Sequence, residues 1–400
     1  MTWRGGDIPA LSANNVEMGK INLAKETNYG SEALYKKWMN KGDTKKGDII
    51  ITMEAPLGNI AQIPDHRKYI LSQRVILLKT KEDLIYNDFL KNFLLSDLFQ
   101  NRLKSYSSGT TATGIQQSKL LKLPIIVPPI PQQQQIARIL DTVDKAIAQT
   151  ETLIAKYKRI KIGLMQDLLT RGIDENGQLR DPRTHKFKRS PLGMIPDEWE
   201  VKDLSSITFK IIDGTHFTPK YIDHGVPFLR VTDIQDTEIH FDHVKKISLQ
   251  EHQFLTQRCK PEYGDILYSK NGTIGLTKVI DWYREFSIFV SLCLIKPILS
   301  LVNPWYLEEI LKSPVVNEQI RMRAKQGTII NLHLEEIREF LIPVPSCNEQ
   351  NRLIEAWKKY NNCLINEELY LTKLQKIKTG LMQDLLTGKT SVKPLLTNQP

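Results

Sequence analysis

The sequence predicts two copies of an α/β (α+β) domain joined by two long antiparallel coiled-coil helices, in a pseudo-twofold arrangement. Three observations carry this: a string repeated almost letter for letter, a constant offset along which the likeness extends, and a heptad seam in each copy. Residues 160–170 read IKIGLMQDLLT and residues 377–387 read IKTGLMQDLLT, ten matches in eleven positions at an offset of 217. At the same offset Gly47, Asp48, Ile49 and Gly58 align with Gly264, Asp265, Ile266 and Gly275, and Leu77, Lys79 and Pro128 align with Leu294, Lys296 and Pro345. Gly109-Thr110 and Gly327-Thr328 correspond with a one-residue slip. A solenoid unit runs to roughly 20–50 residues, so a period this long makes each copy a domain with its own core.

In chain order, residues 1–130 form the first mixed region, where Asp48 to Thr52 read as a strand after a glycine turn and Phe89 to Phe99 carry helical spacing. Residues 131–171 form a helix: Ile136, Leu140, Val143, Ile147, Ile154, Tyr157, Leu164 and Leu168 fall on alternating steps of four and three, with Thr150 and Lys161 at the two intervening positions. Residues 172–196 are a polar linker, within the stretch RGIDENGQLRDPRTHKFKRSPLG that starts at Arg171 and suits an acidic partner. The second mixed region, 197–347, places a strand at Asp265 to Ser269 and helical spacing at Trp305 to Leu311. The second helix, 348–388, repeats the seam as Leu353, Trp357, Tyr360, Leu364, Leu371, Leu374, Leu381 and Leu385, with Glu367 and Lys378 as its polar steps, and a tail of 389–400 follows. A helix of about 39 residues is roughly 58 Å long, longer than one side of such a domain, so it needs a partner along its length, and its twin is the nearest. Gly163 and Gly380 interrupt good helix formers, which predicts either close approach of another backbone, flanked by Met165, Gln166, Asp167, Met382, Gln383 and Asp384, or a kink.

With 400 residues, 41% apolar and 25% charged, the composition is that of ordinary globular domains, and a net charge of +10 favours an anionic partner. No run of eighteen apolar residues exists and the start lacks the charged-then-apolar order of a secretion signal, so the cytoplasm and no membrane contact are expected. Cys259, Cys293, Cys347 and Cys363 have no metal-site spacing and are expected to be reduced thiols, with no metal bound. A duplicated enzyme should show its reactive residues twice, and no such constellation appears. Gly388-Lys389-Thr390 imitates the end of a phosphate loop, but Gln383 stands where its first glycine belongs, and neither HExxH nor GxSxG occurs. Binding without catalytic residues or a cofactor of its own is therefore the expectation.

Candidate DNA-reading loops occur in duplicate, at Glu54 to Gly58 with Lys270 to Gly275, and at Ser107 to Gln116 with Gln326 to Asn331. They keep glycine and threonine while exchanging side chains that could read base edges. Gln and Asn pair with adenine and Lys with guanine, whereas Thr and Ser more often hold phosphates; the alternative for each loop is a solvated turn. The candidates are Asn14, Asn15, Glu54, Thr110, Thr111, Thr113 and Gln116 in the first copy, and His216, Arg230, Lys270, Asn271, Thr273, Gln326, Thr328 and Asn331 in the second.

Together these strings resemble the specificity subunit of type I restriction-modification systems, over nearly the whole chain. IPALSANN from Ile8 and VPFLRVTD from Val226 are similar to its early recognition-domain motif, PPIPQQQQIARIL and PVPSCNEQNRLIE to its spacer start, and FKRSPLGMIPDEWEV from Phe187 to the opening of its second domain. The resemblance implies two target-recognition domains on two helical spacers, binding double-stranded DNA at a split, asymmetric site and directing adenine methylation and restriction by other subunits. It implies two methyltransferase subunits, which carry S-adenosylmethionine and clasp the spacers around Gly163, Met165, Gln166, Asp167, Gly380, Met382, Gln383 and Asp384, and restriction/translocase subunits outside them. A coiled-coil scaffold or adaptor, or a standalone nucleic-acid-binding protein, are the alternatives. One departure stands out: Trp3 aligns near Lys220, so the first copy is expected to lack a counterpart of roughly Asp197 to Pro219, including a Trp199 to Ile207 strand and the Gly214-Thr215-His216 loop.

If paired helices set the distance between two readers, inserting four residues in one of them, about 6 Å, should lengthen the unread gap by one or two base pairs of about 3.4 Å. Mapping methylated sites for the inserted variant checks this, and an unchanged gap refutes the ruler.

Overall fold

The structure is a computed structural model that describes residues 5–107, 113–234, 239–323 and 331–397. It divides into two compact units, Met1–Ile154 with Glu367–Pro400, and Ala155–Asn366.

Each unit is organised around one short strand buried on both faces. In the first, Ile49–Thr52 lies between Ile60–Gln62 and Val75–Leu78, antiparallel to both. Successive side chains of a strand point to opposite sides, so Ile49 and Ile51 enter one apolar cluster with Phe89, Phe93 and Leu140, while Ile50 enters another with Leu11, Val16 and Tyr69. The second unit repeats this with Ile266–Ser269: Ile266 and Tyr268 face a cluster with Tyr306 and Trp357, and Leu267 faces one with Leu229 and Phe286. A second small sheet in each unit mixes directions. Ile8–Leu11 pairs antiparallel with Asn28–Gly30 and parallel with Ile70–Leu71, and Val226–Leu229 pairs likewise with Lys245–Ile247 and Ser287–Ile288.

The helical spacing of Phe89 to Phe99 resolves into two helices, Asn87–Leu95 and Asp97–Tyr106. Ser96 breaks the run because its backbone is extended and its hydroxyl accepts from Phe99 N, capping the second helix. Pro304–Lys312 and Pro314–Arg323 repeat the pair, each with proline as its first residue. The expected Trp199 to Ile207 strand is shorter, Glu200–Asp203, and continues as a 3-10 turn, Leu204–Ile207. Neither this segment nor the strand after it, Thr208–Asp213, has a counterpart among the described residues of the first unit.

Two long helices, Ile130–Arg171 and Cys347–Leu386, each contribute to both units. In the first unit Ile136 and Leu140 share a core with Leu385 and Leu386, and Asp144 pairs with Lys378, so the two segments run antiparallel there. This ion pair accounts for the lysine on the seam. In the second unit Leu168 and Leu169 share a core with Leu353 and Trp357. Each long helix is fastened at its start by a glutamine with no solvent exposure. Gln133 accepts from Tyr86 N (2.8 Å) and donates to Leu84 O (2.9 Å) and Pro128 O (2.7 Å). Gln350 accepts from Asn303 N (2.7 Å) and donates to Leu301 O (3.0 Å) and Pro345 O (2.9 Å), the same three bonds at equivalent positions.

The polar linker is more than a loose tether. It contains the hairpin Phe187–Ser190 with Gly193–Pro196, and its Arg180 is buried against Glu349. The Glu349 carboxylate also accepts from Ile173 N (2.9 Å) and Trp199 Nε1 (3.1 Å). Gly172, at φ +64, leaves the space this cluster occupies, since a Cβ there would lie 2.3 Å from Glu349 Oε1. No helix among the described residues is long and apolar enough to cross a membrane.

Removing one partner of a buried ion pair leaves an uncompensated charge, so Glu349→Ala should destabilise the second unit by about 3–5 kcal/mol. Adding Arg180→Met should recover much of that loss in urea unfolding. A single variant with an unshifted midpoint would show that the cluster does not hold the linker.

Candidate nucleic-acid interface

The two predicted loop pairs come together in both units, by the same backbone bonds. After the central strand, Thr52 Oγ1 accepts from Asn59 N (2.9 Å) and Ser269 Oγ from Leu276 N (2.8 Å), closing a short loop at its base. Met53 N donates to Arg74 O and its carbonyl accepts from Ile115 N; Lys270 N donates to Ser291 O and its carbonyl accepts from Leu332 N. Isolated bridges then join Glu54 to Gly114 and Asn271 to Asn331. Gly58 and Gly275 close the loops at φ +82 and +88. At the tip, Gly272 has φ +74 while Ala55, its counterpart, is held at φ +42, an unusual conformation for a residue with a Cβ.

A third loop joins them through the turn after the parallel pairing. Ser72 N donates to Leu11 O and Phe289 N to Leu229 O, which sets Ser12–Asn15 and Arg230–Asp233 beside the same turn. Asn15 is fully buried, and its Oδ1 accepts from Ser12 N (3.0 Å) as Asp233 Oδ2 accepts from Arg230 N (2.8 Å). Its amide also reaches Glu26 O and Thr27 Oγ1, so Asn15 shapes the loop, whereas Asn14 beside it is exposed.

The remaining candidates divide by accessibility. Thr113 and Gln116 are exposed; Gln116 occupies the N-cap position of Gln117–Leu120 without a side-chain cap bond. Glu54 is half-buried and pairs with Arg74 (2.7 Å), an exposed cation that motif reading missed. In the second unit Thr273 is exposed, Arg230 is half-buried and forked onto Asp233, and Asn271 and Asn331 are half-buried with no partner for either Oδ1 among the described residues. Thr110, Thr111, Gln326 and Thr328 lie outside the described residues.

Lys270 is buried, and its ammonium lies 3.6 Å from Asp213, the second residue that motif reading missed. Asp213 also pairs with Arg258 (2.6 Å) and with His216 (3.0 Å), whose ring is 65% exposed. Burial raises the Asp213 pKa, but the Arg258 hydrogen bond and the charges of His216 and Lys270 outweigh it and hold the carboxyl below its usual range. One carboxylate thus gathers Lys270, Arg258 and the His216 ring. Behind them lies a cavity of about 450 Å³ lined by residues including Thr215, Phe217, Phe254 and Ser287. No signal in the local sequence marks Asp213, because it carries no motif and its contacts with Arg258 and Lys270 join residues far apart in the chain.

Burial pushes the Cys259 thiol up to about 11 and that of Cys293 higher, so neither supplies a thiolate. Among the described residues no cluster of three or more His, Cys, Asp or Glu could hold a metal.

The spacer candidates fall differently. Nothing lies within 4 Å of a Cβ built on Gly163 or Gly380, and the helix is continuous through both, so the described chain supplies neither the close backbone nor a break. Both glycines are exposed, as are Gln166 and Gln383; Met165 is buried in the second unit's core, and Met382 packs against the first unit's. Asp167 and Asp384 pair with Arg171 and Lys389.

An aspartate whose folded pKa lies below its unfolded value of about 3.9 stabilises fully above that value and loses its contribution as pH falls through the folded one. The second unit should therefore lose stability below about pH 4, and Asp213→Asn should flatten that loss. At neutral pH the substitution leaves Lys270 unpaired and should cost about 3 kcal/mol. Unfolding midpoints between pH 7 and 3 test both; equal acid slopes would show that Asp213 does not carry the effect.

The family profile described as "Type I restriction modification DNA specificity domain" matches residues 2–159 and 196–378. The type I restriction enzyme MjaVIII specificity subunit of Methanocaldococcus jannaschii is 27% identical over 369 residues, 88% of this chain and 80% of that protein. The EcoBI specificity subunit of Escherichia coli is 25% identical over 315 residues, 77% of this chain and 65% of that protein. Among solved structures, the type I restriction-modification S subunit from M. genitalium superposes with a TM-score of 0.54 at 17% identity, covering 95% of this chain and 89% of its own. A chain of a type I R-M system solved for its complex assembly and conformational transition gives 0.58 at 18% identity, covering 95% and 91%. At such identities the structural likeness establishes the fold.

Proposed function

Because the chain belongs to the type I restriction-modification DNA specificity family, we propose that each of its two units reads one half of a split, asymmetric site on double-stranded DNA. The observation that carries this is the contrast between conserved loop scaffolds and changed loop tips. Glu54, Ala55, Pro56 and Leu57 stand where the second unit has Asn271, Gly272, Thr273 and Ile274, on the same backbone bonds. Dissimilar tips on like scaffolds suit dissimilar half-sites.

Of the candidates, the exposed Asn14, Thr113, Gln116, Thr273 and His216, with Arg230, Asn271 and Asn331, are best placed to meet DNA. Amides suit adenine edges and hydroxyls suit phosphates. Lys270 acts in this reading by fixing Asp213 and its cations. Thr110, Thr111, Gln326 and Thr328 keep their proposed role from the sequence. The chain contributes recognition, while adenine methylation belongs to two methyltransferase subunits that carry S-adenosylmethionine, and cleavage to restriction/translocase subunits, in the cytoplasm. The exposed positions Gly163 and Gln166 in the second unit, and Gly380 and Gln383 in the first, are where the methyltransferase subunits would approach.

Methylome sequencing of cells expressing this chain with its methyltransferase subunit should show modified adenines in a split, asymmetric motif. Gln116→Ala should relax one base position in the first half-site, by about 1–3 kcal/mol in binding, and leave the second half-site unchanged. A scaffold would give DNA affinity insensitive to salt, whereas phosphate contacts make affinity fall steeply as salt rises. An unmodified genome together with a flat salt response would refute the reading.

A further inference from the structure

Three positions around the reading loops change together between the two units. Glu54, Arg74 and Gly114 stand where the second unit has Asn271, Ser291 and Asn331, on matching backbone bonds. Closure of the loop does not require the exchange. Met53 N donates to Arg74 O as Lys270 N donates to Ser291 O, whichever side chains are attached. Ser291 turns inward, buried, and its hydroxyl accepts from Val231 N (3.2 Å). Arg74 turns outward, with its side chain 51% exposed.

Arg74 lies where the three candidate loops of the first unit meet. Its carbonyl holds the Glu54 to Gly58 loop through Met53 N, Glu54 is bridged to Gly114 in the loop that ends at Gln116, and Ser72 N donates to Leu11 O at the start of Ser12–Asn15. Glu54 meets the guanidinium at Nε, 2.7 Å from its Oε1. Neither terminal nitrogen of Arg74 has a hydrogen-bond partner among the described residues. Gly114 leaves room for the carboxylate, since a Cβ there would lie 3.2 Å from Glu54 Cβ and 3.5 Å from its Oε2. The guanidinium is thus held at one nitrogen and open at the other two, a fork oriented before any ligand arrives.

We propose that Arg74 is a specificity-determining residue of the first half-site, where its fork reads a guanine in the major groove while Glu54 orients it. The inference rests on the proposed DNA reading and adds to it a residue and a base. The pattern of donors and acceptors selects the pair. Guanine offers two acceptors, O6 and N7, to a fork, and the cytosine opposite offers its N4 donor to a neighbouring carboxylate. Adenine presents N7 beside a donor, and thymine presents O4 alone, so the fork loses one bond on either. A phosphate would also take a guanidinium, but the adjacent carboxylate repels it, and the pair as a whole carries no net charge.

The test measures binding of the chain, assembled with its methyltransferase subunit, to duplexes carrying its methylated motif and to duplexes in which each G·C pair of the first half-site is changed in turn to A·T. The native complex should lose about tenfold or more in affinity at one such pair. Arg74→Ala should bind both duplexes about equally there, with every other position of both half-sites still read. Arg74→Gln presents one donor and one acceptor in place of two donors, so it should lose the same preference for G·C; it covers the case in which the alanine variant binds too weakly to compare. Unchanged discrimination in both variants, or a first half-site without a G·C pair, would overturn the proposal and leave the split-site reading standing. An equal loss of affinity on every sequence, with a shallower salt response, would make Arg74 a phosphate contact and overturn it too. A native complex that modifies no split motif would overturn the reading itself, and this inference with it.

Discussion

A buried side-chain amide with three obligatory hydrogen bonds is the constraint from which the rest of each unit follows. Gln133 and Gln350 have no access to water, so every polar atom they bury must find a partner inside. Each joins the helix start to two other segments: the loop ahead of Asn87–Leu95 or Pro304–Lys312, and the proline-containing stretch just before the long helix. An apolar side chain there would tolerate sliding, because hydrophobic contact is non-directional. Three directed bonds do not. They fix where the long helix leaves its domain, and so where the heptad seam meets its partner segment and where the central strand delivers its loop.

The repeat, the seams and the two mixed domains were legible because they depend on periodicity, which a sequence displays directly. Gln133 was not, although it sits in a run of four glutamines, because nothing in the run says which one points inward. Asn15 failed for a related reason. An amide beside a strand end suits base reading and turn capping equally, and only its alignment with Asp233, which caps the equivalent turn, separates the two. Lys270 looked like a free cation because the residue that binds it, Asp213, lies 57 positions away. The loop pairing was foreseen as two separate duplications; the bridges Glu54 to Gly114 and Asn271 to Asn331 show that they are one structure.

The two units use one plan with different amounts of chain. Where Glu200–Asp213 completes the second unit, it also ends in Asp213, so the strand that seals the sheet edge delivers the carboxylate that organises Arg258, Lys270 and His216. Edge closure and loop electrostatics are coupled through a single strand. The first unit, with Met53 in place of Lys270 and Glu54 paired to Arg74, organises its loop by a surface ion pair instead. Exposed pairs of that kind are weak and readily exchanged for a ligand, whereas the buried Asp213 pairing resists rearrangement.

The same separation explains how loop tips can change while the scaffold persists. The bonds that hold each reading loop run mainly between backbone atoms: Met53 to Arg74 and Ile115, Lys270 to Ser291 and Leu332. Backbone bonds are indifferent to side-chain identity, so MEAPLG and KNGTIG close alike, needing only a hydroxyl at Thr52 or Ser269 and a glycine at Gly58 or Gly275. Even the left-handed tip survives the exchange of Gly272 for Ala55, at the cost of local strain. A recognition surface built this way accepts new side chains without new folding requirements. Two domains of common descent could therefore diverge in what they contact while the helices that connect them stayed nearly unchanged.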